Sequence, residues 1–203
     1  MGKVASSMSM SLDGYVTGPH DSREHPLGEG GEVLHRWLGQ AGTQADHAVL
    51  QEMVDGAGAI LMGRRSYDFC VGDGGWGDGG PAGDTPCFVL THHAPDPADA
   101  PPVFTLVTDG IESAITQAKA AAGYRAVGLH GATAAQQALA AGLLDEIQVH
   151  LVPVLLGGGV RLFDLLGANP VDLVRDRVIE AGSGVTHLRF RVPRRPRTNS
   201  TDR

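Results

Sequence analysis

The chain has 203 residues, 42% of them hydrophobic, 19% charged and 5% aromatic, which excludes extended disorder and suits one core built mainly of Ala, Val and Leu. Sixteen Lys and Arg stand against 23 Asp and Glu, and the net charge of −7 is the wrong sign for a protein living on nucleic acid. Two cysteines without a C-x-x-C suggest neither a disulfide framework nor a thiolate metal site, and so point to a reducing cytoplasm.

A strand over 4–12 ends in the turn pair Asp13-Gly14, with 15–17 as a hairpin partner. After a loop at 18–31, Val33, Leu34, Trp37 and Leu38 recur at helical spacing, and a second helix covers 46–54. The wholly apolar run 59–62 reads as a central parallel strand leading into Gly63-Arg64-Arg65-Ser66. Strands at 87–91 and 103–108 flank a proline-rich loop at 95–102. Asp109 with Glu112 predicts a capping box for a helix closed by Gly123. A strand at 126–130 precedes a second predicted box, Thr133 with Gln136, on a helix ending at Gly142. A β-branched strand at 145–153, a turn at 155–159 and an antiparallel hairpin over 173–192 complete an α/β domain at 1–193 with a mostly parallel sheet and helices on both faces. Residues 194–203 read as a frayed basic tail, in which the Asn199-Ser200-Thr201 sequon is accidental.

No stretch approaches the ~18 apolar residues of a membrane span, and the first residues form neither a signal peptide nor an anchor. Glycine is one residue in seven, 29 in all, so close backbone approaches are expected somewhere. The richest cluster, 72–83, contains a literal G-x-G-x-x-G. It follows no clear strand and opens no helix, so it reads as a surface loop, with Trp76 able to close over a pocket. His130-Gly131-Ala132-Thr133 lies where a strand meets a helix N-terminus. It is either a phosphate cradle or an ordinary capped turn. Gly63-Arg64-Arg65-Ser66 repeats the arrangement with two guanidinium groups, and Thr91-His92-His93 ends a third strand. Three such strand ends suit a dinucleotide site. His47, His150 and His187 read as packed or exposed, and no metal-ligand spacing occurs.

Taken together, Ser11-Leu12-Asp13-Gly14, Met62-Gly63-Arg64-Arg65-Ser66-Tyr67, Val89-Leu90-Thr91, Gly142-Leu143-Leu144-Asp145-Glu146, 152–159 and Leu162-Phe163 resemble the dihydrofolate reductase superfamily. The resemblance is closest to the branch containing the C-terminal reductase domain of the riboflavin-biosynthesis deaminase-reductase, and it covers about 4–192. It implies a dihydrofolate-reductase-like fold, NADPH as hydride donor, and a small pyrimidine- or pterin-like substrate reduced at a C=N or C=O bond. By the same resemblance, Gly63 and Arg64 approach the adenosine 2′-phosphate and Ser66 the pyrophosphate. Thr91 and His92 would lie by the adenosine ribose, with Gly131, Ala132 and Thr133 at the second phosphate contact. Asp13 would be the catalytic acidic residue of the substrate side, orienting the substrate or assisting its protonation directly or through water, with Leu12, Leu156 and Gly157 near the substrate, and a homodimer is expected. The chain departs from the family in carrying His130 where the phosphate turn usually opens Gly-Gly. It lacks the proline-tryptophan motif and carboxylate of folate reductases, as well as the deaminase zinc signature. A binding protein of the same fold without turnover, or a weak dihydrofolate reductase, are the alternatives.

Overall fold

The structure, a computed structural model, describes residues 2–72, 75–77, 79–93, 101–164 and 170–193. The basic tail with its sequon, and parts of the 72–83 and 95–102 segments, lie outside the described residues. The order is β1 (Val4–Ser11), a 3-10 helix (Gly31–Leu38), α1 (Gln44–Gly56), β2 (Ala57–Gly63), α2 (Arg64–Cys70), β3 (Cys87–Leu90) and β4 (Phe104–Val107). It continues with α3 (Ile111–Ala122), β5 (Ala126–His130), α4 (Ala132–Ala140), β6 (Glu146–Val152), β7 (Val174–Glu180) and β8 (Thr186–Arg191).

The eight strands form one sheet in the order β4-β3-β2-β5-β1-β6-β8-β7. Pairing is parallel from β4 to β6 and antiparallel through β8 and β7. This is the expected α/β class, with a mostly parallel sheet and an antiparallel C-terminal hairpin. Alternation along β2 shows why both faces carry helices. Ala59 and Leu61 join a core with Ala114, Ala118 and Ala135 of α3 and α4, whereas Ile60 and Met62 pack with Tyr67 of α2 and Phe104. A strand buried on both faces reads as continuous apolar sequence. The alanines let α3 and α4 lie close to the sheet.

The structure corrects three local expectations. The Asp13-Gly14 turn forms, with the Gly14 amide donating to the Ser11 carbonyl at 3.0 Å, but 15–17 is not a hairpin partner. Both edges of β1 are taken by β5 and β6, so the chain leaves the sheet and Tyr15 bridges to Arg161 instead. Neither predicted capping box forms. α3 and α4 start from Gly110 and Gly131, both at positive φ and without a side-chain cap. Gln136 instead donates to the carbonyls of Arg161 and Leu162, and Asp109 accepts from Ser113. A reciprocal capping box does form at Thr43 and Asp46, opening α1. Finally, Leu34 and Trp37 are buried three residues apart on a 3-10 turn, which eclipses i and i+3.

Candidate functional site

A cleft of about 940 Å³ runs along the C-terminal ends of β2, β3 and β5, where ligands of open α/β sheets bind. One half of its wall holds Gly63, Arg64, Ser66, Thr91, His92 and the start of α4 at Gly131, Ala132 and Thr133. The three strand ends singled out from sequence therefore meet in one place.

Two glycines show how this half is built. Gly131 has φ +91°, and a Cβ there would lie 2.9 Å from the Ser66 hydroxyl. Only glycine keeps that hydroxyl beside the helix start. The first amides of α4 have no side-chain cap and, with the helix dipole, suit an anion. Gly63 has ordinary extended backbone, φ −80°, and a Cβ would meet nothing within 4 Å. Conformation does not require glycine there, and its absent side chain leaves room on the cleft wall. These features fit a nucleotide's phosphates.

Arg64 donates from Nε to Asp68 at 2.6 Å and from Nη1 to the His93 carbonyl at 3.1 Å, which steers the guanidinium along the cleft mouth. Arg65 is clamped by Asp21 through Nε and Nη2, both at 2.8 Å. Thr91 is buried and donates to the His93 carbonyl at 3.0 Å, while His92 is exposed. His130 lies on the wall edge-on to Trp76, with ring centroids 5.1 Å apart. Its Nδ1 is buried without a partner. Burial first, and His35 second, push its pKa down to about 4, so the ring is neutral at pH 7.

Asp13, Leu156 and Gly157 also come together, but none of them, nor Leu12, lines the cleft. The Asp13 carboxylate accepts from the Ser11 hydroxyl at 2.6 Å and from the amides of Leu156 at 3.1 Å and Gly157 at 2.7 Å. The Ser11 bond leads, ahead of the two amides, in holding its pKa at about 2 against the opposing effect of desolvation. At neutral pH this group has no proton to give. Leu12 is 63% exposed.

Sequence reasoning missed the other half of the wall: Ser7, Ser9, His35, Trp37, Met53 and His150. The Trp37 indole donates to Ser9 at 2.9 Å and lies 4.6 Å from the His150 ring. His150 and His187, read above as packed or exposed, sit directly opposite each other on β6 and β8, 1% and 2% exposed. Their Nδ1 atoms are 2.7 Å apart. His187 Nε2 is 2.9 Å from Asp46 Oδ1, and His150 Nε2 is 3.0 Å from the Ser7 hydroxyl. His47, by contrast, is exposed. The available signal was the period-two run Ser7, Ser9, Ser11 in β1, which sets hydroxyls along one face of a strand.

The family model for the RibD C-terminal domain matches residues 2–187. Among solved structures, the chain is similar to a candidate riboflavin biosynthesis protein from Shewanella sp. PV-4, with a TM-score of 0.67 and 21% identity, covering 96% of this chain and 100% of that one. A pyrimidine reductase-like protein from Corynebacterium diphtheriae follows at 0.63 and 13%, covering 96% and 93%. The diaminohydroxyphosphoribosylaminopyrimidine deaminase/5-amino-6-(5-phosphoribosylamino)uracil reductase of Thermotoga maritima gives 0.61 and 13%, covering 95% of this chain and 57% of that one. At these identities the likeness is one of fold. No curated protein sequence matches the chain. The family resemblance read from the motifs is borne out.

Proposed function

Because the chain belongs to the RibD C-terminal domain family, we propose that it is a cytoplasmic NADPH-dependent reductase acting on a C=N or C=O bond of a small pyrimidine- or pterin-like substrate, as in riboflavin-type pyrimidine reduction. The observation that carries this reading is the pairing of Ser66 with the uncapped start of α4 across Gly131, opposite the open wall at Gly63. On this reading Arg64 holds the 2′-phosphate by charge-assisted hydrogen bonds. Ser66 and the amides of Ala132 and Thr133 hold the pyrophosphate, and Thr91 with His92 flanks the adenosine ribose. The bound nicotinamide would supply the hydride. Asp13 serves the substrate side by fixing the 156–157 turn.

Trp37 and Trp76 both line the cleft, so their fluorescence reports binding. Saturable quenching by NADPH is the expected result. No quenching and no thermal shift at millimolar NADPH would end this reading. Arg64→Ala should lose about tenfold in NADPH affinity while leaving NADH unchanged.

A second reading, a binding protein without turnover, draws on His130, whose imidazole occupies cleft space that the family leaves to glycine. Tight NADPH binding with no oxidation across pyrimidine, pterin and imine acceptors would favour it. We also propose a homodimer paired through the β7 edge, where Val174 and Val178 are 43% and 42% exposed.

A further inference from the structure

We propose that Asp46, His187, His150 and Ser7 form a buried proton relay that opens into the cleft at the Ser7 hydroxyl and delivers the proton accompanying hydride transfer. The delivery step rests on the reductase reading. The relay itself rests on geometry alone.

Each contact in the chain is of hydrogen-bond length: Asp46 Oδ1 to His187 Nε2 at 2.9 Å, Nδ1 to Nδ1 at 2.7 Å, and His150 Nε2 to Ser7 Oγ at 3.0 Å. A carboxylate only accepts, so His187 Nε2 carries a hydrogen. Two nitrogens 2.7 Å apart must share one proton, because two bare or two protonated nitrogens would repel. This leaves two self-consistent arrangements. In the neutral one, Ser7 O–H donates to His150 Nε2, and His150 Nδ1–H donates to His187. With one more proton every bond beyond Asp46 reverses. His187 Nδ1–H then donates to His150, His150 Nε2–H donates to Ser7, and the Ser7 hydrogen is turned outward.

The reversed state is the loaded one, and its outward hydrogen has somewhere to go. Ser7 and His150 both lie on the cleft wall, and the outward hydrogen finds only Met53 Sδ, 3.3 Å from the Ser7 hydroxyl, a weak acceptor that a substrate nitrogen or oxygen would outcompete. In the reductive step the hydride that NADPH would supply, leaving NADP⁺, forms a bond to the substrate carbon and the π pair moves to nitrogen or oxygen. That atom takes the Ser7 hydrogen. His150 Nε2–H refills Ser7, His187 Nδ1–H refills His150, and both rings end neutral. One proton leaves the relay for each hydride delivered.

In the loaded arrangement the extra proton sits on His187, the ring bonded to the Asp46 carboxylate. Burial, then His187, hold the His150 pKa at about 3, with His35 of the 3-10 helix and Arg189 of β8 acting in the same direction and Asp46 of α1 against it. His187 touches the Asp46 carboxylate directly. Burial alone would raise the Asp46 pKa, but bonds from Thr43, His187 and Ser183 outweigh it and keep the group ionised. Because His187 Nε2 already holds the hydrogen that buried Asp46 accepts, no proton enters there, and the store reloads by the reverse shift through Ser7, from solvent in the open cleft. Asp46 and His187 are positioning residues. Ser7 is the donor.

The test combines long-range ¹H–¹⁵N NMR of the histidine rings with NADPH oxidation, using 5-amino-6-(5-phosphoribosylamino)uracil and 7,8-dihydrofolate as acceptors. In the wild type, one ring hydrogen should couple to the Nδ1 atoms of both His150 and His187. Asp46→Asn should shift the His187 Nε2 resonance, and Ser7→Ala only that of His150 Nε2. With a turned-over acceptor, Ser7→Ala should lower kcat about 100-fold at unchanged NADPH KM. Asp46→Asn should move the acid limb of the kcat profile. Absence of that shared coupling overturns the relay, and wild-type kcat in Ser7→Ala overturns delivery. Ser7→Ala removes a single oxygen and keeps the test open if Asp46→Asn does not fold. Coupled rings with neither acceptor reduced would leave the relay standing and defeat the reductase reading with its delivery step.

Discussion

At Asp13, three donors converge on one carboxylate, and the consequence is a pH window. The folded pKa is about 2 against an ordinary 3.8. Its stabilising effect is therefore complete above 3.8 and lost as pH falls toward 2. Urea unfolding at pH 5 and pH 3 should show the wild type losing more stability than Asp13→Asn. His130 works over a different range. Its folded pKa of about 4 lies below the ordinary 6.5, so the unfolded chain binds more protons between these values and stability falls as pH drops through them. His130→Gly should flatten that slope and tighten NADPH binding, read by the same fluorescence titration. Gly131→Ala meets both a positive φ and the Ser66 hydroxyl. It should cost about 1–2 kcal/mol in thermal denaturation and weaken NADPH more than NADH-independent folding measures would suggest.

At the scale of elements, the parallel strands were legible because burial on both faces leaves an unmistakable apolar run, as at 59–62 and 87–90. Helix starts were less so. Asp109 and Thr133 are capping residue types, but positive-φ glycines took the cap positions, leaving Asp109 to Ser113 and Gln136 to the carbonyls of Arg161 and Leu162. The hairpin at 13–17 was misread because a local turn signal cannot reveal that β1 lies between two later strands. The same gap hid half the cleft. His150 and His187 are 37 residues apart, and only the β6-β8 register sets them face to face. The nucleotide half was readable since its strand ends carry local glycine and arginine signals. Thr43→Ala should cost about 1 kcal/mol through loss of the α1 cap. Because Thr43 also bonds Asp46, calorimetry should be paired with the NMR of the histidine rings. Ala118→Leu, at a fully buried α3 position, should cost about 1–3 kcal/mol by overpacking the alanine layer.

Across the whole molecule, the sheet closes on one side with β4 and on the other with β7. The β7 edge alternates exposed valines with charged neighbours, and Arg177 pairs with Glu52 of α1 at 2.9 Å. If that edge is the dimer seam, Val178→Lys should halve the mass seen by light scattering while leaving NADPH quenching intact. No helix among the described residues is long and apolar enough to cross a membrane.

The central place of β1 also governs how the chain must be made. Val4 pairs with Val127, and Ser7 with Gln148, so β1 leaves the ribosome long before the strands it pairs with. At roughly 5–20 residues per second, the serine-bearing strand waits on the order of ten seconds for β5 and β6 to be synthesised. Such long-range pairing slows folding in proportion to its contact order. The hydroxyl-lined strand that reaches the cleft is thus also the one most dependent on protection before the sheet exists.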